Sequence, residues 1–324
     1  MRQAIIVILW LLCTTAAHAD GVDWVRGGDD GKQTRWGIQG GLQFAIPPAV
    51  PGPRGLIRML YPTLKDGVYD LVNFIAIEPI VHGQRAFSEL EPSRLDGING
   101  KRIWVDPDHL QGKLTRLAAD AEILELPVHV EAFGNGARVK LTIRQDSRRP
   151  DEVTLVVHAA AGSLPMDACI LTATMGNKAR TRLLWLKNGK VSSLDIYGRY
   201  KQSGFTEHTV YPLNRLAITG DGEVLVAVTS DEPEPAAVHP FPNSRAWYYG
   251  GFPVTQFWKK PRGTWGDDLR VAVNARYTYW ESERPVPGGV AFENFELREK
   301  FQDGRVSVFG ISRKTPGQMG LGGK

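Results

Sequence analysis

The strongest constraint on the fold is a repeated alternation of apolar and polar residues with a period of two. In the segment 269–280, Val271 and Val273 fall on one side of an extended chain, and Arg270 and Arg276 fall on the other. One apolar and one polar face are typical of a strand in an antiparallel sheet that covers a core with one side only. This segment therefore predicts a strand whose polar side turns away from the core.

Short runs of the same kind recur along the chain. They are rich in β-branched and aromatic residues and are bounded by Gly, Pro, Asn or Asp, as strands usually are. The number of such runs, roughly 14 to 18 when weak ones are included, predicts one large sheet system without a clear linker. The clearest runs cover residues 42–46, 71–77, 121–133, 137–145, 152–159, 168–175, 181–186, 223–230, 269–280, 289–297 and 305–311.

Turn chemistry and a weak helix signal complete the prediction of the fold class. The best helix candidate covers residues 106–121, but its periodicity is weak and Gly112 interrupts it. We therefore predict an all-β fold, a large antiparallel two-sheet β-sandwich of the supersandwich-like kind, with at most one or two short helices. Three dipeptides predict hairpin turns through the positive φ angles that they tolerate. They are Asn135-Gly136, Asn188-Gly189 and Asp221-Gly222.

The N-terminus has the pattern of a secretory signal peptide. A positive start, an uncharged apolar run over residues 4–13 and the small-residue motif at 17–19 predict cleavage after residue 19. We expect a signal peptide over 1–19, a single β-sandwich domain over 20–315 and a flexible, glycine-rich tail over 316–324. The mature protein is then periplasmic or secreted, with no membrane insertion after cleavage, because no later apolar stretch is long enough to span a bilayer.

Cysteine content and charge narrow the classes of function. Cys13 lies in the predicted signal peptide, so Cys169 is left alone and no internal disulfide can form. The formal net charge is +4 without a run of five like charges, which gives no reason to expect a nucleic-acid partner. Phosphate-binding glycine motifs and zinc-binding histidine motifs are absent from the sequence. We therefore predict neither a cofactor nor a metal site.

Glu78 is the most unusual candidate for chemistry, since it stands within the apolar strand-like segment 73–80. Burial raises the pKa of a carboxyl group unless a cation pairs with it, and a raised pKa suits a general acid or base. The alternative is a buried ion pair with an arginine that only fastens the sheet. His82 and Arg85 follow on the loop that leaves this strand, where they could hold or polarise a ligand or simply be solvated.

Glu293 is a second acid in an apolar setting. By strict alternation it shares a face with Ala291, Phe295 and Leu297. Glu78 and Glu293 would form an acid and base pair if the fold brings their strands together, with His82 as a third catalytic candidate. If it does not, each acid has a separate structural role.

The third candidate region is the aromatic segment 246–280, in which arginines and lysines alternate with tryptophans and tyrosines. Flat rings can cover the C–H faces of a sugar while polar side chains bind its hydroxyl rim, which would make a glycan groove. The same composition also suits a plain sandwich core, because aromatic residues favour strands. The predicted ligand-binding residues are Arg85, Trp247, Tyr249, Trp258, Arg276 and Trp280.

Taken together, the export signal, the strand content and the aromatic-rich strands with isolated acids at Glu78 and Glu293 resemble the large β-sandwich proteins of carbohydrate metabolism. These include the galactose-mutarotase-like supersandwich, and the resemblance covers most of residues 35–312 without a diagnostic motif. It implies a glycan or oligosaccharide ligand and, for an enzyme, hydrolysis, β-elimination or anomer exchange. It transfers no catalytic residue. The alternative is a non-catalytic envelope binding or structural protein.

Overall fold

Two large antiparallel sheets form the described part of the chain, as the alternation of the sequence predicts. The structure is a computed structural model. It describes residues 22–28, 34–46, 55–62, 69–94, 102–118, 121–174, 180–231, 254–279 and 283–322. The predicted signal peptide over 1–19 lies outside these residues. No helix within them is long and apolar enough to cross a bilayer.

The first sheet has ten strands, numbered in chain order, and nine of them follow one path. The tenth strand lies off this path and pairs with the end of one path strand as a short hairpin arm. The path runs through β1 (Trp24–Val25), β2 (Arg35–Ile38), β3 (Gln43–Ala45), β4 (Leu56–Pro62), β5 (Tyr69–Val81), β12 (Ala168–Thr174), β20 (Ala291–Arg298), β19 (Arg270–Arg276) and β15 (Thr209–Pro212), with β6 at Gln84–Arg85.

The second sheet has eleven strands and packs against the first. Two of its strands lie off the main path, and each pairs with one strand of that path. The path runs through β14 (Gly189–Ser192), β13 (Leu183–Leu186), β17 (Val224–Thr229), β18 (Thr255–Lys260), β21 (Arg305–Ser312), β11 (Glu152–Ala159), β10 (Val139–Asp146), β9 (Ala121–Val130) and β7 (Ile103–Trp104), with β16 at Ala217–Ile218 and β8 at Lys113–Ala118.

The predicted hairpins are confirmed at all three dipeptides. They connect β9 to β10, β13 to β14 and β16 to β17. Gly136 has a φ of 88°, a value that a residue with a side chain rarely adopts, and its amide donates to the carbonyl of Phe133 to close the turn. The local turn chemistry thus sets the register of the strands on either side.

Helical structure is sparse in the described residues, in agreement with the predicted fold class. The α-helix α1 (Ser193–Tyr197) begins after Ser192, whose hydroxyl accepts a hydrogen bond from the amide of Leu194. The helix candidate at 106–121 was wrong. Only a single 3₁₀ turn forms there, and the chain then enters β8, because pairing with β9 satisfies its backbone groups. The 3₁₀ turns are Pro107–His109, Leu213–Arg215 and Gly317–Met319.

The core lies between the two sheets and takes side chains from both. Trp258 is 1% exposed there, and its indole N–H donates to the carbonyl of Phe295 across the sheets at 2.8 Å. Its ring meets Phe309 edge to face, with centroids 5.0 Å apart. The structure therefore places Trp258 in the core, where it cannot line an open ligand groove as the sequence had suggested.

The segment predicted as a flexible tail packs onto the second sheet as far as it is described. Leu321 is buried against Leu225 and Phe257. The far edge of the Phe257 ring lies against Gly310, where a β-carbon would come within 2.0 Å of Cζ. The close approach of ring and backbone explains why a glycine occupies that position in β21.

Candidate functional site

Charged side chains collect on the face of the first sheet that turns away from the second sheet, here called the outer face. Glu78 in β5 lies opposite Ile170 of β12, and Thr172 of β12 lies opposite Glu296 of β20. The residues that flank these positions point into the core, so Glu78, Thr172 and Glu296 point outward. We define the outer-face cluster as Glu78, Arg85, Thr172, His208, Glu296 and Arg298.

A tight hairpin brings Arg85 back onto β5. The turn between β5 and β6 is made by His82 and Gly83, with φ angles of 50° and 75°. Positive φ at both central residues is the geometry of a two-residue hairpin turn. The Arg85 guanidinium then donates to Glu78 through Nε and to both carboxylate oxygens of Glu296 through Nη2, at 3.0 and 3.2 Å. One cation therefore joins two acids from different strands.

Glu296 is the ionised centre of the cluster and is completely buried. Its carboxylate accepts hydrogen bonds from the Thr172 hydroxyl at 2.5 Å and from Nε of Arg298 at 2.6 Å, besides those from Arg85. Burial alone would raise the pKa of Glu296, but the positive charges of Arg85 and Arg298 outweigh it and hold the pKa below its usual value. The carboxylate therefore keeps its negative charge in the interior.

Glu78 has the opposite character although it shares the same arginine. It is 2% exposed. Burial, together with the negative charge of Glu296, raises the pKa of Glu78 to about 8, and Arg85 offsets this only in part. At neutral pH Glu78 therefore carries a proton that it can donate.

His208 completes the cluster from the segment that leads into β15. Its Nε2 lies 3.6 Å from Oε1 of Glu296 and makes no hydrogen bond with the residues that the structure describes. Burial lowers the pKa of His208 to about 4, helped by the positive charges of Arg298 and Arg85 against the opposing charge of Glu296. The imidazole is therefore neutral at neutral pH and able to accept a proton.

The cluster is open on one side. The side chains of Arg85 and His208 are each 21% exposed above the buried Glu296. At its border, burial raises the pKa of Glu89 to about 7, with Arg85 and the Ser88 hydroxyl opposing the shift. Solvent therefore reaches Arg85 and His208, whereas Glu78 and Glu296 are 2% and 0% exposed.

A β-bulge changes the position predicted for Glu293. The register of β19 and β20 shifts between the pairs Val273–Phe295 and Ala275–Phe292, so both phenylalanines point into the core. Glu293 therefore does not share a face with Phe295, which corrects the strict alternation read from the sequence. Its carboxylate instead forms an ion pair with Arg276, with Oε2 2.7 Å from Nε, and both side chains are buried.

Glu78 and Glu293 occupy the same sheet face but different places on it. Glu78 lies opposite Ile170 of β12. The neighbouring pair Thr172–Glu296 places Ile170 level with Arg298 of β20, and Glu293 lies five positions along β20 from Arg298. At about 3.3 Å per residue this is roughly 16 Å along the strand alone. The direct acid and base pair considered from the sequence is therefore not formed, and each acid has its own arginine.

The other predicted site residues have different positions. His82 is exposed at the tip of the β5–β6 hairpin and serves the turn. Trp247, Tyr249 and Trp280 lie outside the described residues. Thr172, His208, Glu296 and Arg298 were not predicted as site residues, although Glu296 and Arg298 have the alternating positions of a solvent-facing row.

Metal binding and catalysis by a cysteine thiol find no support among the described residues. No group of three or more His, Cys, Asp or Glu side chains among them is arranged to hold a metal ion. Burial, with the nearby Glu78, raises the pKa of the Cys169 thiol to about 12. The thiol is therefore protonated at neutral pH and unsuited to act as a nucleophile.

Comparisons with known proteins add little to this geometry. No family model matches the chain, and no curated protein matches it. Among solved structures it is similar to the GalM/aldose epimerase homologue from C. elegans, with 11% identity, coverage of 86% of this chain and 97% of that chain, and a TM-score of 0.29. A TM-score this low carries no argument about activity or site residues.

Proposed function

We propose that this protein is an exported carbohydrate-processing enzyme whose outer-face cluster moves a proton to or from a sugar oxygen. One observation supports this most strongly. Glu78, whose pKa is raised by burial, and His208, whose pKa is lowered by burial, lie on either side of Glu296. Arg85 joins Glu78 to Glu296, and Nε2 of His208 lies 3.6 Å from Oε1 of Glu296. The export part of the proposal is supported by the N-terminal pattern of residues 1–19.

Each proton transfer would create a charge beside a counter-charge that is already in place. When Glu78 donates its proton, the new carboxylate stands against the Arg85 guanidinium. When His208 accepts a proton, the new imidazolium stands near the Glu296 carboxylate, 3.6 Å away. Charges positioned in advance stabilise the state in which charge develops without reorganisation of the site. The arrangement therefore suits Glu78, whose pKa lies near neutral pH, as the general acid. His208, whose pKa is lowered to about 4, would act as a weak general base assisted by the charge of Glu296.

A sugar is the ligand class that matches these groups. Its hydroxyls both donate and accept hydrogen bonds, and the cluster offers a donor acid at Glu78, an acceptor imidazole at His208 and guanidinium donors at Arg85 and Arg298. Because Glu296 and Glu78 already engage Arg85, the cluster is better suited to bind hydroxyls than to neutralise an anionic ligand. Hydrolysis, β-elimination and anomer exchange all require such proton transfers and are the reactions to assay.

The test is a panel of sugars followed by proton NMR, which detects anomer exchange, bond hydrolysis and the alkene protons of β-elimination. The panel contains free aldoses, neutral oligosaccharides and uronate-containing glycans. Glu78→Gln and His208→Gln should each lower turnover by about 10²- to 10⁴-fold. The matched control is Glu131→Gln, which removes another buried acid near an arginine, Arg102, outside the cluster.

The alternative function is a non-catalytic binding or structural protein of the envelope. It is favoured by the full engagement of Arg85 with two carboxylates, which would fasten three strands without any reaction. A change in tryptophan fluorescence on addition of a sugar, without product, would support the binding role. Equal turnover by wild type and Glu78→Gln would show that Glu78 is not the general acid, and the catalytic role of the cluster would be contradicted.

A further inference from the structure

An open groove lies beside α1 and is not part of the outer-face cluster. It has a volume of about 1030 Å³, is open to solvent along its length, and is bordered by the helix, the loop that follows it and the chain leading towards β15. This is at the upper end of the size of small-ligand sites. The side chains that give it chemical character are Asp195, Arg199, Tyr200, Gln202, Phe205 and Glu207.

Apolar side chains stand open to solvent in this groove. Phe205 is 46% exposed and Leu194 is 37% exposed, and both line it. Tyr200 lies beside them with its hydroxyl donating to the carbonyl of Phe205 at 3.2 Å, so its ring is fixed in place. Clustered exposed apolar side chains with a polar rim mark sites of contact with a ligand or partner.

The groove opens onto the same face as the outer-face cluster. Phe205 forms a β-bridge with Arg276, and side chains of directly opposed residues lie on one side of a sheet. Arg276 belongs to the outer face through its contact with Glu293. Phe205 precedes His208 by three residues, or roughly 10 Å of extended chain. A ligand bound at His208 and longer than one sugar ring would therefore reach the groove.

Resting on the proposed function, we infer that this groove binds the further units of a neutral oligosaccharide whose reacting unit lies at the outer-face cluster. The rings of Phe205 and Tyr200 provide flat apolar surfaces for sugar C–H faces. Asp195, Gln202 and Glu207 provide acceptors for hydroxyl groups at the rim. Two acids against the single Arg199 make the lining unfavourable for a polyanionic glycan.

The test compares ligand length in wild type and in Phe205→Ala. The probes are the glucose, mannose, xylose and galactose series, each as monosaccharide and as β- or α-linked tetrasaccharide, and tetragalacturonate as the anionic probe. Calorimetric titration should show at least one neutral tetrasaccharide that binds more tightly than its monosaccharide. Phe205→Ala should weaken that tetrasaccharide about five- to tenfold and leave monosaccharide binding unchanged.

The matched control is Ile218→Ala, which removes an equally exposed apolar side chain, 52% exposed, from the second sheet. It should change neither affinity. Equal affinity for monosaccharides and tetrasaccharides, an unchanged tetrasaccharide affinity in Phe205→Ala, tighter binding of tetragalacturonate, or no binding by any probe would each overturn the inference.

The two proposals fail in different ways. If Glu78→Gln abolishes turnover but Phe205→Ala has no effect that depends on ligand length, the groove assignment fails and the proposed function stands. If Phe205→Ala shows the length effect while Glu78→Gln turns over sugars normally, the groove binds glycans and the acid–base role of the cluster is wrong.

Discussion

The outer faces of the two sheets carry similar ion pairs in opposite environments. On the second sheet, Arg144 of β10 meets Glu125 of β9 at 2.6 Å, and both side chains are more than a third exposed. On the first sheet, Arg85 meets Glu296 at 3.0 Å, and the carboxylate is completely buried. The chemical groups are the same, but water screens one pair and is excluded from the acid of the other.

This difference separates ordinary surface charge from charge that needs an explanation. An exposed pair contributes little to stability and can vary freely. A buried carboxylate costs several kcal/mol in lost hydration and persists only where its partners compensate for it, and an apolar pair of similar volume is often as stable. The outer-face cluster therefore points to a function, whereas the Arg144–Glu125 pair does not.

The largest expected effect comes from removing the central acid. Glu296→Ala leaves Arg85 and Arg298, whose side chains are only 21% and 25% exposed, without their shared carboxylate. We expect the free energy of unfolding to fall by about 3–5 kcal/mol. Urea denaturation at pH 7 measures it, with Glu125→Ala as the exposed control, for which a loss within about 1 kcal/mol is expected. Equal losses in the two variants would erase the distinction between the faces.

The second-largest expected effect is a pH dependence of the free energy of unfolding, caused by Glu78 in the first sheet. The pKa of Glu78 is raised from 4.5 to about 8, so the folded protein holds a proton that the unfolded chain releases. Its contribution to stability is complete below pH 4.5 and is lost as the pH rises through about 8. Glu89, with its pKa raised to about 7, acts in the same direction. Glu78→Gln should therefore flatten, without abolishing, the fall in stability between pH 4.5 and 8, most visibly above pH 6.5, where His208 no longer opposes it.

His208 should act in the opposite direction on the acid side. Its pKa is lowered from 6.5 to about 4, so its contribution to stability is present above pH 6.5 and is lost as the pH falls through about 4. His208→Gln should remove this rise while Glu78 and Glu89 continue to act, so that between pH 4 and 6.5 the slope of stability against pH is more negative in the variant than in wild type. Denaturation midpoints at half-unit steps of pH measure both effects. A curve for His208→Gln parallel to that of wild type would show that the imidazole is solvated.

The smallest effect is expected on the second sheet. A double-mutant cycle of Arg144→Ala and Glu125→Ala should give a coupling energy of about 0.2–1 kcal/mol, decreasing in 1 M salt. A coupling of several kcal/mol that salt does not change would mean that this pair is as strong as the buried one. The comparison of the two faces would then lose its physical basis.

The sequence predicts the fold well because its signals are local. Period-two alternation and the Asn-Gly and Asp-Gly turns depend on neighbouring residues only, and the strand-rich two-sheet fold and all three hairpins agree with them. Long-range features escape such signals. The bulge at Val273 and Ala275 turns Glu293 away from Phe295, and nothing in the run of residues 289–297 shows where the register shifts.

The candidate site could be predicted only in part for the same reason. Glu78 and Arg85 stand out because an acid in an apolar run is visible in the sequence. Glu296 and Arg298 instead occupy the polar side of an alternating strand, which is also what a solvated face looks like. Their burial and the approach of His208 arise from tertiary structure, since Thr172 and His208 precede Glu296 by 124 and 88 positions (296 − 172 and 296 − 208).

The most direct test of the cluster is the protonation state of Glu78 at neutral pH. Selective carbon-13 labelling of glutamate side chains, with Glu78→Gln to assign the signal, allows the carboxyl shift to be followed by NMR from pH 4 to 9. We expect a carboxyl resonance that titrates near pH 8 and is therefore largely protonated at pH 7. A Glu78 resonance that titrates near its ordinary value of 4.5 would show an ionised carboxylate held by Arg85, and the acid–base proposal would be contradicted.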